Sequence, residues 1–303
     1  MKQSVIVGLG IQGHKRIKFL NSKNYITVDP FKKSDYKKLQ NVPKDLYDKV
    51  FLCVPDDQKF ELIKYCIDNG KHCLVEKPFP KVSRKEIIKL EKIANKKKII
   101  CYVAYNHRFE PHFIRMKNLL DSKKIGKIYY CRFFYGNGTA KLVKKSNWRD
   151  KGNGVIGDIG SHLFDICKFW FGISPDKIDF SRSYKFENKA PDHAQIIFNE
   201  NRINFLFEIS LCMWRNTFTC DIVGKKGSIH ISSLTKWDRT NFYYRKRILP
   251  SGKPKEKKYT IKMKDPTWKK EQNYFLNLIK RKKNSLKKEI WINSILNQIK
   301  YKI

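Results

Sequence analysis

The 303-residue sequence predicts an α/β domain built on a parallel sheet, followed by an α+β domain built on a large, mostly antiparallel sheet. Two observations carry that expectation. Up to about residue 110, short apolar runs alternate with helical stretches, which implies strand–helix–strand crossovers and a sheet with helices on both faces. Beyond that point, strand-like runs follow one another across short polar turns such as Asn199-Glu200-Asn201 and Gly224-Lys225-Lys226-Gly227, the mark of an antiparallel sheet. The length suits two domains, set at 1–110 and 111–303.

In the first domain Ser4–Val7, Tyr25–Asp29, Val50–Val54, His72–Val75 and Ile99–Ala104 read as strands. Between them Ile11–Asn21, a short Ser34–Gln40 segment, Asp56–Asn69 and Ser83–Lys96 have helical spacing. Asp56 is the expected N-cap of its helix, and Gly70 sits where a terminating glycine belongs. In the second domain a helix over His112–Asp121 precedes a strand over Lys127–Tyr135, a polar glycine-bearing stretch and a helix over Asp158–Phe171. Strands then run over Lys177–Phe186, His193–Phe198, Arg202–Cys212, Asn216–Val223, Gly227–Ile231 and Asn241–Ile248, before a helix over Pro266–Lys280 and a basic amphipathic tail.

Composition narrows the class. A hydrophobic fraction of 41% with 14% aromatics fits a folded globular chain. No run approaches the roughly 18–20 apolar residues that span a bilayer, and the first residues lack a secretory pattern, so no membrane partner and a cytoplasmic location are expected. The eight cysteines are scattered, without paired metal spacing, which points to reduced structural thiols and no metal. The net charge of +37 favours anionic ligands, yet the lysines are spread along the chain. Basic runs such as Lys96–Lys98, Lys253–Lys258 and Lys280–Lys288 read as solvated helix ends and loops, with no nucleic-acid reader motif beside them.

Gly8-Leu9-Gly10-Ile11-Gln12-Gly13 is the most informative motif. It follows a strand, opens a helix and lies in a complete βαβ unit, with Asp29 ending the second strand 21 residues beyond Gly8. That is the fingerprint of a dinucleotide-binding Rossmann domain. Gly8 permits the tight turn, Gly10 the approach of a pyrophosphate, and Gly13 the close packing of helix on sheet; the first amides of the helix favour the anion. Asp29 can accept hydrogen bonds from both ribose hydroxyls and favours NAD, while Lys32 and Lys33 behind it keep NADP open. Ile11, Gln12, Pro55 and Glu76 complete the expected cofactor set.

Glu76-Lys77-Pro78 stands at the carboxyl edge of the fourth strand, where open α/β sheets bind ligands. Asp158 and His162, four positions apart, project from one helical face. With the Asn106-His107-Arg108 segment and the glycine-rich run Gly152–Gly157 leading to Asp158-x-x-x-His162, these motifs stand in an order that resembles the glucose-fructose oxidoreductase / inositol dehydrogenase / MocA-like (Gfo/Idh/MocA) family over residues 1–172.

The resemblance implies an enzyme in which Lys77, Asp158 and His162 form the catalytic group, with histidine as acid/base on the reacting hydroxyl and lysine polarising it. Both roles make chemical sense, because a hydride leaves carbon only as the hydroxyl loses its proton, and a cation stabilises the developing alkoxide. Asn106 and Arg108 are candidate substrate residues or caps of a strand–helix junction. Trp148 and Arg149 resemble a pair that borders the cofactor, or form a packed indole beside a solvated charge. Where many members have three glycines this chain has Gly152-Asn153-Gly154, and asparagine tolerates left-handed angles.

The expected activity is hydride transfer between NAD, or NADP, and a sugar, nucleotide-sugar or cyclitol, the positive charge favouring an anionic substrate. The resemblance also implies a homo-oligomer paired through exposed sheet faces. The rival readings are a cofactor-sensing or polyanion-binding protein without turnover on the same fold, and a reductase of a non-sugar carbonyl or imine.

Overall fold

The computed structural model describes residues 2–20, 24–146, 148–250, 252–282 and 286–299. It divides the chain into two compact units, Met1–Asn106 with Thr267–Asn293, and His107–Pro266 with Ser294–Ile303.

The first unit is a five-stranded parallel sheet. Its elements are β1 (Gln3–Val7), α1 (Ile11–Lys18), β2 (Tyr25–Val28), β3 (Tyr47–Leu52), α2 (Asp56–Asp68), β4 (His72–Glu76), α3 (Arg84–Lys96) and β5 (Cys101–Ala104). The strand order is β2-β1-β3-β4-β5, every pair parallel. The chain reverses its direction of winding between β1 and β3, which creates the crevice at the carboxyl ends where such sheets take ligands. Ile6, Phe51, Leu74 and Ala104 are buried on these strands, and Ile100 just before β5 joins them.

Helix ends follow local chemistry. α3 opens with a reciprocal capping box between Ser83 and Glu86. α2 closes through Gly70 at φ +68°, with the Lys71 amide bonded to the Cys66 carbonyl and the Gly70 amide to Ile67. Its N-cap is Pro55 rather than Asp56, whose carboxylate instead takes the Lys59 ammonium at 2.7 Å. The helix expected over Ser34–Gln40 is replaced by a single 3₁₀ turn, Leu39–Asn41. Polar side chains capture the backbone there: Asp35 accepts from the Thr27 amide and hydroxyl, and the Ser34 hydroxyl donates to the Asp29 and Tyr36 carbonyls.

The second unit contains α4 (Pro111–Asp121), β6 (Ile128–Gly136), α5 (Ala140–Lys144) and α6 (Ser161–Phe171), then β7 (Phe180–Tyr184), β8 (His193–Glu200), β9 (Ile203–Ser210), β10 (Thr217–Gly224), β11 (Gly227–Ser232), β12 (Thr240–Lys246) and β13 (Lys255–Ile261). Its eight strands run β13-β12-β11-β10-β6-β9-β8-β7, antiparallel except where β6 lies parallel to β9. Burial alternates along β8 to β11, so one face is apolar. α4 and α6 cover it: Trp170 stacks on Phe133 at 5.7 Å and donates its indole N–H to the Phe113 carbonyl at 3.0 Å. Lys255–Ile261, whose lysines read as a loop, is an edge strand that among the described residues pairs with β12 alone.

Two helices end the chain, α7 (Thr267–Arg281) and α8 (Lys287–Gln298). α7 returns to the first unit, where Phe275 completes the core beside Phe51 with ring centroids 5.8 Å apart.

Candidate active site

In the first unit the site is built on the turn after β1. Gly8 adopts φ +91°, and a Cβ on it would lie 2.4 Å from the Cys53 carbonyl oxygen. A Cβ on Gly13 would lie 2.0 Å from the Gly8 carbonyl oxygen, so both positions require glycine. Gly10 differs: it is the N-cap of α1, and a Cβ there meets nothing within 4 Å. The first bond inside α1 runs from the His14 amide to the Gly10 carbonyl, so the amides before His14 are the helix's open donors. Gln12 is exposed and Ile11 is 77% exposed at this helix start. Open space above a backbone donor set, at the positive end of a helix dipole, fits the pyrophosphate of a dinucleotide.

Asp29 is buried at the end of β2. Its Oδ2 accepts the Leu9 amide at 2.8 Å, and its Oδ1 accepts the Phe31 and Lys32 amides at 2.9 Å each. Burial opposes its charge, but the amides of Leu9, Lys32 and Phe31 outweigh that and hold the carboxyl below its ordinary range. A carboxylate offers about four acceptor positions, so Asp29 locks the glycine turn and keeps one position on Oδ2 for a ligand hydroxyl. The Lys32 ammonium bonds the Leu9 carbonyl at 2.6 Å, which puts a cation beside that carboxylate.

At the end of β4, Lys77 is half-buried and joins Pro78 by a cis bond. Lys59 on α2, unremarked in the sequence, fastens this turn by donating to the Pro78 carbonyl at 2.9 Å. Burial lowers the pKa of that ammonium. Pro55 is half-buried at the start of α2. Glu76 is turned into the unit: Arg16 Nε donates to its Oε1 at 2.8 Å and Arg16 Nη2 to Glu271 Oε2 at 2.7 Å. Burial works against the Arg16 charge, but Glu76 and Glu271 more than compensate and raise its pKa. Asn106 also stays in this unit, its amide donating to the Thr267 hydroxyl at 2.8 Å.

In the second unit Asp158 lies in a π-helical turn, Ile156–Gly160, that runs into α6, and His162 is the buried second residue of α6. Arg149 Nη2 donates to Asp158 Oδ2 at 3.1 Å. Trp148 is largely exposed. The glycine run works through its flanks: Gly152 and Gly154 take φ +60° and +48°, and a Cβ on Gly154 would lie 2.1 Å from the Pro191 carbonyl oxygen. Asn153 is outside the left-handed region, so its tolerance for such angles is not called on. Arg108 is directed to the buried Asp165 carboxylate, with Nη2 to Oδ1 at 2.8 Å.

The residue of this segment that faces His162 is His107, with ring centroids 4.0 Å apart. Tyr135 on β6 lies against His107 at 5.6 Å, and the Lys236 ammonium reaches both. Only folding brings His107, Tyr135, His162 and Lys236 together. His107 stood inside a noted motif and offered a signal; Lys236 offered none.

Residues 2–105 match the family described as an oxidoreductase family with an NAD-binding Rossmann fold, and residues 113–230 match the C-terminal domain of the same family, GFO/IDH/MocA. The chain belongs to the Gfo/Idh/MocA oxidoreductase family. Among curated relatives it is 30% identical over 126 residues to an uncharacterized oxidoreductase of Schizosaccharomyces pombe, covering 41% of this chain and 33% of that one. It is 24% identical over 199 residues to the scyllo-inositol 2-dehydrogenase (NAD(+)) of Bacillus subtilis, covering 62% and 56%. The matched stretch spans 33% to 40% of the length of the first three curated relatives. A solved levoglucosan dehydrogenase in complex with NADH shares the fold, with a TM-score of 0.81 at 15% identity over 99% of this chain and 96% of that one. This family fold accounts for both sheets and for the dinucleotide cradle. No helix among the described residues is long and apolar enough to cross a membrane.

Proposed function

We propose that the protein is an NAD(P)-dependent dehydrogenase or reductase, acting in the cytoplasm as a homo-oligomer on a sugar, nucleotide-sugar or cyclitol. The observation that carries this reading is the glycine turn, crowded at Gly8 and Gly13 and open only at Gly10, which leaves room above the first amides of α1. The names of relatives acting on inositol support a polyol substrate.

Bound at this turn, the nicotinamide dinucleotide supplies the hydride acceptor or donor. Gly8, Gly10 and Gly13 shape its seat, with Ile11, Gln12 and Pro55 around it. The last acceptor position of Asp29 suits a ribose hydroxyl and makes NAD the first choice; the adjacent Lys32 ammonium keeps NADP admissible. Glu76 acts from beneath, by anchoring Arg16 of α1.

Lys77, Asp158 and His162 are the proposed catalytic group. His162 takes the hydroxyl proton during oxidation and returns it during reduction. Asp158, which accepts a hydrogen bond from the Arg149 guanidinium, orients the reacting hydroxyl. Lys77 stabilises the oxygen as negative charge grows on it. Arg108 acts through Asp165 to set the α6 backbone that carries His162.

Titration with NADH, read by nicotinamide fluorescence, tests the cradle, and turnover on a panel of sugars and cyclitols tests the chemistry. His162→Ala should lower kcat by about 10²-fold or more and leave NADH affinity nearly unchanged. Unaltered kcat in that variant would remove His162 from the reaction.

A further inference from the structure

Lys236 lies in the segment between β11 and β12, outside every motif read from the sequence. Its ammonium donates to the Tyr135 phenol at 2.8 Å, lies 3.5 Å from His107 Nε2 and stands 4.7 Å from the centre of the Trp237 ring. An ammonium has three donors. The phenol and the imidazole occupy two, and no described carboxylate forms an ion pair with it. The residue as a whole is exposed, so a ligand can reach it, while its ammonium is part-buried against Tyr135, His107 and Trp237. That burial lowers the Lys236 pKa despite the more distant fields of Glu110, Asp265 and Asp158. The group is therefore a fixed, partly desolvated cation with a donor to spare and a phenol and an imidazole as its hydrogen-bond partners. One imidazole separates it from His162, whose ring lies 4.0 Å from that of His107.

We infer that Lys236 determines specificity by receiving an anionic group of the substrate, a carboxylate or a phosphate, while His162 serves the reacting hydroxyl of the same sugar-like molecule. The inference rests on the dehydrogenase reading for the role of His162. A phenol and an imidazole offer the ammonium no negative charge, and a ligand oxyanion does, through a charge-assisted hydrogen bond that a neutral hydroxyl does not match. The positive field of the chain would add to the capture rate of such ligands.

The test is calorimetric titration of the NADH-charged protein with D-gluconate, D-glucose 6-phosphate and D-glucose, repeated on Lys236→Met and Lys236→Arg. The expected result is that at least one anion binds the unaltered protein about tenfold or more tighter than glucose. That ratio collapses towards one in Lys236→Met and is largely kept in Lys236→Arg. The gluconate and phosphate arms show which oxyanion is taken. Equal affinity of the unaltered protein for all three sugars overturns the proposal, as does an undiminished ratio in Lys236→Met. A loss shared equally by glucose and the anions also overturns it, because it marks a structural lysine. Failure of NADH to bind would instead strike the dehydrogenase reading, and the same titrations without cofactor would then decide Lys236 alone.

Discussion

At the scale of single residues, the glycines of the first turn separate two demands that a motif merges. Gly13 is held by crowding, since its Cβ would meet the Gly8 carbonyl at 2.0 Å; Gly10 is held by nothing in the protein. Gly10→Ala should therefore fold with an unchanged melting temperature and bind NADH more weakly by about tenfold or more, because its methyl group enters the space of the pyrophosphate. Gly13→Ala should lose stability as well, by about 1–3 kcal/mol as the helix is forced off the sheet. Thermal melts beside NADH titrations check both, and a stable Gly10→Ala with normal affinity would mean that no dinucleotide lies over this turn. The pattern of glycines was legible because backbone geometry dictates residue type there. Glu76 was legible as a motif but not in its direction, since its partner Arg16 lies 60 residues away and is shared with Glu271, 255 residues from Arg16. His107 and Lys236 were harder still: a proximity spanning 129 residues leaves no local trace.

At the scale of elements, the N-terminus of α4 carries a titrating group. Glu110 is its N-cap residue, and its Oε2 accepts the Thr235 hydroxyl at 2.9 Å and the Thr235 amide at 3.2 Å. Burial pushes its carboxyl up to about 7 despite those bonds. The folded form thus holds a proton that the unfolded chain releases at its ordinary value of 4.5. The stabilisation is complete below the unfolded value and is lost as pH rises through the folded one, by up to roughly 3 kcal/mol in total. Glu110→Gln should remove this component, so its urea midpoint should fall less than that of the unaltered protein between pH 5 and pH 8. Equal falls would show that Glu110 does not titrate in this window.

Elements were legible in proportion to their burial periodicity. The strands of the large sheet announce themselves because every second side chain is buried, as along β8 and β10. β13 does not, because almost all of it is exposed and lysines occupy both of its faces. Charged residues on an edge strand prevent further pairing, and the same charges disguise the strand as a loop. The Ser34–Gln40 segment shows the opposite error, a helical spacing overruled by side chains that bond the backbone nearby.

At the scale of the molecule, the first unit is discontinuous in sequence. α7 supplies Phe275 to the β1–β3–β4 core and Glu271 to Arg16. Phe275→Ala should cost about 3–5 kcal/mol, and should lower NADH affinity through loss of folded protein rather than of contacts. Denaturant unfolding followed with and without NADH checks this, and a cost under about 1 kcal/mol would place Phe275 outside the core. The change in strand pattern near residue 110 was legible in the sequence. The return of the chain was not, because an amphipathic helix names no face on which it lies.

That return has a consequence for biosynthesis. The ribosome finishes β1 to β5 early, yet it must still deliver His107–Pro266 of the second unit before Glu271 and Phe275 emerge. During that interval Arg16 lacks one of its two carboxylates and the apolar patch around Phe51 stays open to water. Domains ordinarily fold from the N-terminal end as they are made. Here the nucleotide unit is begun first but completed only after His107–Pro266 has been made, so a nascent chain stalled before residue 267 carries a cofactor fold that awaits its closing helix.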